Sequence, residues 1–309
     1  MIEDERRRLI RLKSNLQRRA LIYQFTGDFF RERGFLEVET PIRVPVIAPE
    51  LNITPFPSEA WFLSTSPELH MKRLLAAGYD KLFQITRCFR QGEQGRWHNP
   101  EFTMLEWYRA GADYQQIIQD TEQLVVILAG KLGLNTVFKY QGQDIDISLP
   151  WPRITVRDAF LRNAGWDPVA EPDSERFDTD LVTKVIPAFL AGRPTVLMDY
   201  PAAMAELARL KPDDAGVAER AEVFIGGLEL ANIYSELRDV REQESRFRET
   251  ITQIEQERGQ PVAMPRRFIE AVAHLPECGG VALGIDRLVM LLCDAGSIDE
   301  VMPFTADTA

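Results

Sequence analysis

Apolar residues that recur every three or four positions predict a series of helices along the chain. The first is expected over residues 4–33, with Gly34 as its C-terminal cap. Ser66 and Pro67 suit the start of a second helix, as the N-cap and the first helical residue. The remaining helical patterns cover residues 115–132, 155–164, 175–191, 239–258 and 285–292.

Alternating apolar and polar residues predict strands between these helices. Residues 34–43 favour an edge or interface strand, because Pro41 lacks a backbone donor. Five prolines between Pro41 and Pro57 predict a loop over residues 42–61. Further strands are expected in the hairpins at residues 87–109, 136–149 and 219–237, and in the single strands 195–198 and 279–284.

The hairpin at residues 87–109 carries the main candidate chemistry. Every second residue of its return limb falls on one face, so Phe102, Glu106 and Tyr108 are expected to lie together. Arg90 offers a planar, permanent charge that suits phosphate or carboxylate, and Phe102 offers a flat face for a purine. Taken alone, the segment is equally consistent with a solvated hairpin that carries ordinary surface charge.

Three other segments offer groups that would complete such a site. Glu68 lies in the first turn of its helix, either as a dipole partner or as a carboxylate that binds an amino group. Glu229 and Glu236 are seven residues apart, so the strand must bulge if both are to bind one Mg²⁺ ion. Gly284 permits close approach of a ligand to the backbone, next to Arg287. Alternatively, Glu229 and Glu236 are solvated residues at a strand end, and the glycine-rich strand is only tightly packed.

Composition limits the classes of protein to which the chain belongs. Its 309 residues are 45% hydrophobic and 27% charged, which is typical of a globular protein. No apolar run approaches the ~20 residues of a membrane span and no signal region opens the chain, so a cytoplasmic protein without membrane contact is expected. The three cysteines and three histidines predict neither disulfides nor a zinc site. The net charge of −11 argues against a broad nucleic-acid surface.

Three segments in a fixed order resemble the three motifs of the class II aminoacyl-tRNA synthetases, specifically the lysine type. They are residues 34–41, 90–108 and 279–287, and the stretches 98–103 and 229–236 also match this group closely. The resemblance implies an α+β fold, a mostly antiparallel β-sheet flanked by helices. It further implies one catalytic domain over residues 1–309 and a homodimer formed through the first motif.

Two departures narrow the resemblance. The first-motif helix begins close to Met1, so no N-terminal OB-fold domain for anticodon binding is expected. Ala282 replaces a glycine of the synthetases on the wall of the amino-acid pocket, where one added methyl reshapes a small site. Both features resemble the elongation factor P (R)-β-lysine ligase family, a group of lysyl-tRNA synthetase paralogues. In the second motif, Glu93 lies one position later than the usual glutamate. Either Glu93 still reaches the nucleotide, or backbone groups at Gln91 and Gly92 contact it instead.

The resemblance also implies roles for individual residues. Arg90 and Arg287 would be catalytic, and Glu229 and Glu236 would bind Mg²⁺. The residues implied for ATP are Arg90, Gln91, Gly92, Glu93, His98, Asn99, Phe102, Glu229, Leu230, Gly284 and Arg287. The residues implied for the amino acid are Ser66, Pro67, Glu68, Glu106, Tyr108, Asn232, Tyr234, Glu236 and Ala282.

The implied reaction consumes ATP to activate (R)-β-lysine or lysine as an acyl-adenylate. The acyl group is then transferred to a lysine ε-amine of elongation factor P, and tRNA is not expected as a partner. One alternative is a shortened lysyl-tRNA synthetase that uses α-lysine and tRNA. An alternative of another class is a non-catalytic protein that binds ATP or lysine and regulates a partner.

Overall fold

The computed structural model describes residues 2–189, 192–259 and 261–309. Its helices are α1 (Ile2–Arg31), α2 (Glu68–Ala76), α3 (Tyr114–Lys131), α4 (Val156–Asn163), α5 (Ser174–Asp180), α6 (Val240–Arg258), α7 (Arg266–Val272) and α8 (Ile285–Cys293). The first seven strands are β1 (Leu36–Glu37), β2 (Arg43–Val44), β3 (Pro57–Ser58), β4 (Trp61–Leu63), β5 (Lys81–Phe89), β6 (Glu101–Ala110) and β7 (Val137–Tyr140). The others are β8 (Gln143–Asp146), β9 (Arg153–Thr155), β10 (Thr195–Pro201), β11 (Val217–Ile225), β12 (Leu228–Ser235) and β13 (Cys278–Gly284).

An eight-stranded sheet forms the centre of the fold, in the order β1-β5-β6-β13-β12-β11-β10-β9. The five inner pairings are antiparallel, and the two edge strands, β1 and β9, pair in parallel with their neighbours. This arrangement confirms the predicted α+β class with a mostly antiparallel sheet. Of the strand expected over residues 34–43, Leu36 and Glu37 form β1 at the edge of the sheet, and Pro41 lies beyond its end.

The two faces of the sheet have different surroundings. On one face, Leu105 and Trp107 of β6 pack into the largest apolar core, with residues of α1, α3 and α8. Because side chains alternate along a strand, Glu106 and Tyr108 point to the opposite face. Helix α2 covers that opposite face, where Leu75 packs against Tyr108. The polar residues of interest therefore lie on the side of the sheet away from the main core.

A buried ion pair connects the helices to the sheet. Asp286, at the start of α8, lies 2.5 Å from the Arg19 guanidinium of α1, and both side chains are almost fully buried. The Asp286 carboxylate also accepts the backbone N–H of Thr103 in β6 at 2.6 Å. Removal of one partner from a buried pair leaves an uncompensated charge, which is strongly destabilising. The pair therefore fixes α1, α8 and β6 relative to one another.

Most predicted elements form, and two segments differ from expectation. Residues 42–61 are not a loop throughout, because β2, β3 and β4 form a small three-stranded sheet whose strands are only two or three residues long. The helix predicted over 175–191 breaks after Asp180 into a π-helical turn, Leu181–Val185, and a 3₁₀ turn, Ile186–Ala188. Leu190 and Ala191 of that prediction lie outside the described residues. None of the helices in the described ranges is long and apolar enough to cross a membrane.

Candidate active site

A cleft lies over the ends of β6, β12 and β13, and most of the predicted ATP-binding residues line it. The lining residues are Arg90, Glu93, Trp97, His98, Asn99, Phe102, Thr103, Met104, Glu229, Leu230, Asn232, Ala282, Gly284, Asp286, Arg287 and Ile298. Gln91 and Gly92 are exposed in the turn that follows Arg90. Three strands that are far apart in the sequence thus contribute to one concave surface.

Arg90 and Phe102 lie against each other at one side of the cleft. The Arg90 guanidinium is 5.2 Å from the centroid of the Phe102 ring, and its Nη1 is 3.5 Å from Glu93 Oε1. Burial acts to lower the pKa of Arg90, but nearby carboxylates, Glu50 and Glu93 foremost, overcome it and raise that pKa. Glu93 thus reaches the site despite its late position. The backbone N–H of Gln91 is bonded to Thr54 and is not free for a nucleotide.

Arg287 lies in the first turn of α8, and two neighbours hold its guanidinium. It donates to the backbone oxygen of Glu229 at 2.8 Å, and its Nη2 lies 2.6 Å from His98 Nε2. Burial lowers the pKa of His98, and the positive charge of Arg287 lowers it further. The neutral imidazole can therefore accept this hydrogen bond and orient Arg287. Phe102 and Arg287 both line the cleft, which suits stacking on the two faces of a planar base.

Asn99 has a structural part in the cleft. Its side-chain amide donates to the backbone oxygen of Glu101 at 2.6 Å and accepts the backbone N–H of Ala306 at 2.9 Å. Both polar atoms of the side chain are thus engaged within the protein. Asn99 holds the turn before β6 against the C-terminal segment, next to any bound nucleotide.

The predicted bulge between Glu229 and Glu236 is present in β12. The register shifts so that Phe224 opposes Glu229 while Val223 opposes Ala231, which makes Leu230 the extra residue. The bulge brings Glu229 onto the face that Asn232 and Tyr234 occupy. Leu230 itself is buried at the cleft.

The two glutamates lie far apart along the strand. At about 3.3 Å per residue, Glu229 and Glu236 are separated by roughly 20 Å. Glu236 pairs with Lys72. The assignment of both glutamates to Mg²⁺ stays a prediction. Glu222 lies closer to Glu229. It is on the facing strand β11, two residues from Phe224, which opposes Glu229.

The carboxylates of Glu68, Glu106 and Glu236 lie next to the cleft, on the α2 side of the sheet, and are called here the acidic pocket. Glu106 is almost fully buried and accepts hydrogen bonds from the Ser66 hydroxyl at 2.5 Å and the Tyr108 hydroxyl at 3.0 Å. Burial, and next the charge of Glu68, raise the pKa of Glu106 to about 8. The Ser66 hydroxyl also accepts the backbone N–H of Glu68, and Pro67 is the N-cap of α2. The predicted Ser66-Pro67-Glu68 segment thus holds two carboxylates at this pocket.

Strand β13 forms the floor of the acidic pocket. Ala282 pairs in register with Glu106 on one side and Asn232 on the other, so its methyl group lies between two predicted substrate-binding residues. Gly280 pairs with Tyr108, and a side chain at Gly280 would collide with the Tyr108 ring and with Glu236 Oε1. The Tyr108 ring and Glu236 Oε1 therefore occupy the space that a side chain at position 280 would need.

Asn232 and Tyr234 form the outer wall of the pocket. The Asn232 amide donates to the Tyr234 hydroxyl at 2.9 Å, and that hydroxyl donates to Glu206. The Asn232 side-chain oxygen is buried without a hydrogen-bond partner among the described residues. It is therefore available to accept a hydrogen bond from a ligand.

Sequence reasoning missed four residues of the site: Glu50, Lys72, Gly280 and Glu222. Glu50 faces Arg90 from the segment before β3, and burial raises its pKa to about 8 against the opposing charge of Arg90. Lys72 lies four residues after Glu68, a helical spacing that predicts their contact. The places of Gly280 and Glu222 in the site depend on strand register, which cannot be read from the sequence.

Comparisons with known proteins agree with this geometry. A family model described as tRNA synthetases class II (D, K and N) matches residues 6–308. The chain is similar to proteins named elongation factor P–(R)-β-lysine ligase in several bacteria. Identity is 38% to that of Klebsiella pneumoniae (strain 342), over 96% of each protein, and 39% to that of Salmonella dublin, also over 96% of each. It is 36% to that of Vibrio parahaemolyticus serotype O3:K6, over 94% of each.

The raised pKa of Glu106 predicts a pH dependence for ligand binding. Below about pH 8 the carboxyl is largely protonated and pairs poorly with an ammonium group, whereas above that pH it is ionised. We expect the affinity for lysine to increase between pH 6.5 and 8.5, by up to about tenfold per pH unit. Calorimetric titration of lysine into the protein measures this. Glu106→Gln should bind lysine more weakly and with a flatter pH profile. An affinity that falls over this range would contradict the assignment.

Proposed function

The chain belongs to the class II tRNA synthetases of the D, K and N group, and from that membership we propose that it is an ATP-dependent ligase. It activates (R)-β-lysine or lysine as an acyl-adenylate and transfers the acyl group to a lysine ε-amine of elongation factor P. One observation carries the proposal. The cleft of Arg90, Phe102 and Arg287 extends to Ala282, whose register partner on β6 is the buried carboxylate Glu106.

The charges in the acidic pocket favour a ligand with two ammonium groups. Glu68, Glu106 and Glu236 contribute three carboxylates, and Lys72 contributes one ammonium group, so the formal charge is −2 when all are ionised. Unpaired buried charge is costly. The two ammonium groups of lysine or β-lysine would neutralise this charge, and Arg90 at the mouth would bind the carboxylate. A neutral or acidic amino acid would leave the charge unpaired.

The first step joins the amino acid to AMP. A carboxylate oxygen of the amino acid attacks the α-phosphorus of ATP, the bond to the β-phosphate breaks, and pyrophosphate leaves. Arg90 holds both the carboxylate and the α-phosphate, so that the reacting atoms are adjacent. Phe102 and Arg287 hold the adenine from its two faces. No side-chain nucleophile is required, and catalysis rests on positioning and charge stabilisation.

The second step transfers the acyl group to the acceptor. The unprotonated ε-amine of the acceptor lysine attacks the acyl carbon, the bond to AMP breaks, and AMP leaves with the electron pair. The amine proton passes to the surrounding solvent or to AMP. The relatives' names supply elongation factor P as the acceptor, and a cytoplasmic location follows from this proposal because that acceptor is a translation factor.

Magnesium is proposed at Glu222 and Glu229, whose donor chemistry fits the ion. Mg²⁺ is typically held by one or two carboxylates together with phosphate oxygens. Among the residues that the structure describes, no three His, Cys, Asp or Glu side chains form a metal site by themselves, so the phosphates must supply the other ligands. Burial raises the pKa of Glu222 against the opposing charge of Arg220, whose guanidinium pairs with it at 2.8 Å, and the charge of Glu229 raises it further. When bound, the ion would neutralise phosphate charge.

We also propose a homodimer that involves α1 and β1. The outer face of α1 carries a shallow apolar groove formed by Leu9, Ile10, Leu16 and Ala20. Ile10 and Leu36 of β1 are large apolar side chains that are half exposed or more. Burial of such a surface against a second copy would remove apolar area from water.

Enzyme assays test the proposed function directly. We expect ATP–pyrophosphate exchange that depends on lysine or (R)-β-lysine, followed by a mass increase of one lysyl residue on elongation factor P. Aminoacylation of tRNA is the control reaction. Absence of exchange with both amino acids would refute the ligase and favour a non-catalytic binding protein. Efficient charging of tRNA would favour the shortened lysyl-tRNA synthetase.

The substitution Ala282→Gly tests which residue selects the amino acid. Ala282 lies between Glu106 and Asn232, so removal of its methyl group enlarges the pocket next to the amino groups. We expect the ratio of kcat/KM for α-lysine to that for (R)-β-lysine to rise by roughly tenfold, the order for one methyl group. Pyrophosphate exchange with both amino acids gives the ratio. An unchanged ratio would show that selectivity is set elsewhere.

Matched glutamine substitutions test whether Glu222 and Glu229 bind magnesium. In Glu222→Gln and Glu229→Gln, the Mg²⁺ concentration for half-maximal exchange should rise by on the order of tenfold, because a carboxylate ligand is lost. Glu236→Gln should instead raise the KM for lysine and leave the Mg²⁺ requirement near that of the wild type. A raised Mg²⁺ requirement in Glu229→Gln and Glu236→Gln, but not in Glu222→Gln, would favour the pair of Glu229 and Glu236.

A further inference from the structure

Lys72 is a buried cation in the wall of the amino-acid pocket. Its side chain is 2% exposed, and its ammonium group lies 2.5 Å from Glu68 Oε1 on the same helix. The same ammonium group forms an ion pair with Glu236 Oε2, just beyond the end of β12. The Glu236 side chain is 1% exposed. One ammonium group therefore connects α2 to the sheet through two carboxylates of the pocket.

These ion pairs leave one oxygen on each carboxylate unused by Lys72. On Glu236 that oxygen is Oε1, which lies over Gly280. The edge of the Tyr108 ring lies over the same glycine, and the Lys72 ammonium group is 5.9 Å from the centroid of that ring. Lys72 holds Glu236 in this orientation through its other oxygen.

The charge of Lys72 also matters to the pocket. Without its ammonium group, Glu68, Glu106 and Glu236 would present three buried carboxylates, one more than the two ammonium groups of lysine can neutralise. Such a surplus charge is removed by protonation of a carboxyl group. A protonated carboxyl no longer attracts an ammonium group as strongly. The charge of Lys72 thus brings the formal charge of the three ionised carboxylates to −2, which two ammonium groups can neutralise.

We propose that Lys72 is a positioning and specificity-determining residue, which holds Glu68 and Glu236 so that each keeps one ionised oxygen for the ammonium groups of the amino-acid substrate. The inference rests on the proposed function, since it concerns the substrate of that same site. Lys72 itself touches the carboxylates and not the reacting atoms.

A competing role for Lys72, in which it occupies the place of a substrate ammonium group, predicts the opposite change in lysine affinity. If its ammonium group merely occupied the place of a substrate ammonium group, then its removal would free two carboxylates and tighten lysine binding. The positioning role predicts weaker binding. The direction of the change in lysine affinity therefore separates the two roles.

The experiment compares Lys72→Met and Lys72→Arg with a surface control. Lys139→Met is the matched control, because Lys139 is well exposed and pairs with Asp144, which is also well exposed. ATP–pyrophosphate exchange gives KM values for the amino acid and for ATP, and thermal unfolding monitors folding. Lys72→Gln keeps a hydrogen-bond donor and replaces Lys72→Met if that variant does not fold.

In Lys72→Met, we expect the KM for the amino acid to rise by at least about tenfold, as is typical when one partner of a buried charge pair is removed. The KM for ATP should change by less than about twofold, because the contacts of Lys72 are confined to the amino-acid pocket. Lys72→Arg should recover part of the lost affinity, since it keeps the charge. Lys139→Met should match the wild type.

Different results would overturn the inference and the proposed function. A lower KM for the amino acid in Lys72→Met, or equal rises in both KM values, would refute the positioning role while the wild type still catalyses exchange. No recovery in Lys72→Arg together with a lowered melting temperature would show a purely structural role. A wild type that shows no exchange with either lysine would refute the proposed function, and this inference with it.

Discussion

A charge that is removed from water must be paired or neutralised, and this constraint shapes the side of the sheet that faces α2. Glu106 and Glu236 are almost fully buried, yet neither lies in an apolar setting. Glu106 is bonded to Ser66 and Tyr108, and Glu236 is paired with Lys72. These pairings leave the pocket short of positive charge. An incoming cation is therefore bound by groups that the fold has already placed and desolvated.

The same constraint operates on the core side of the sheet, where a buried ion pair fixes the elements that carry the nucleotide half of the site. The buried pair of Asp286 and Arg19 fixes the start of α8 against α1, and Asp286 also accepts the Thr103 N–H. Arg287 follows Asp286 in the chain, and Phe102 precedes Thr103. One buried carboxylate thus sets the positions of both side chains expected to hold the adenine. Core stability and the geometry of the cleft are coupled through this residue.

The sequence predicted those parts of the structure that leave a local pattern. The long helix α1 and the hairpin of β5 and β6 follow from periodicity. The small sheet of β2 to β4 was not predicted, because strands of two or three residues contain too few positions to show a period. Glu222 was missed for a different reason: its distance from Glu229 depends on which residues oppose each other across β11 and β12. Register of this kind is a tertiary property.

The two halves of the site differ in how firmly their charges are held. The pair of Arg90 and Glu93 is 3.5 Å long and partly exposed, so it contributes roughly 1 kcal/mol or less. A phosphate can therefore displace Glu93 from Arg90 at little cost. Lys72 and Glu236 are instead buried, and separation of such a pair is much more costly. The nucleotide half can therefore adjust to its ligand, whereas the amino-acid half selects a ligand that matches its fixed charges.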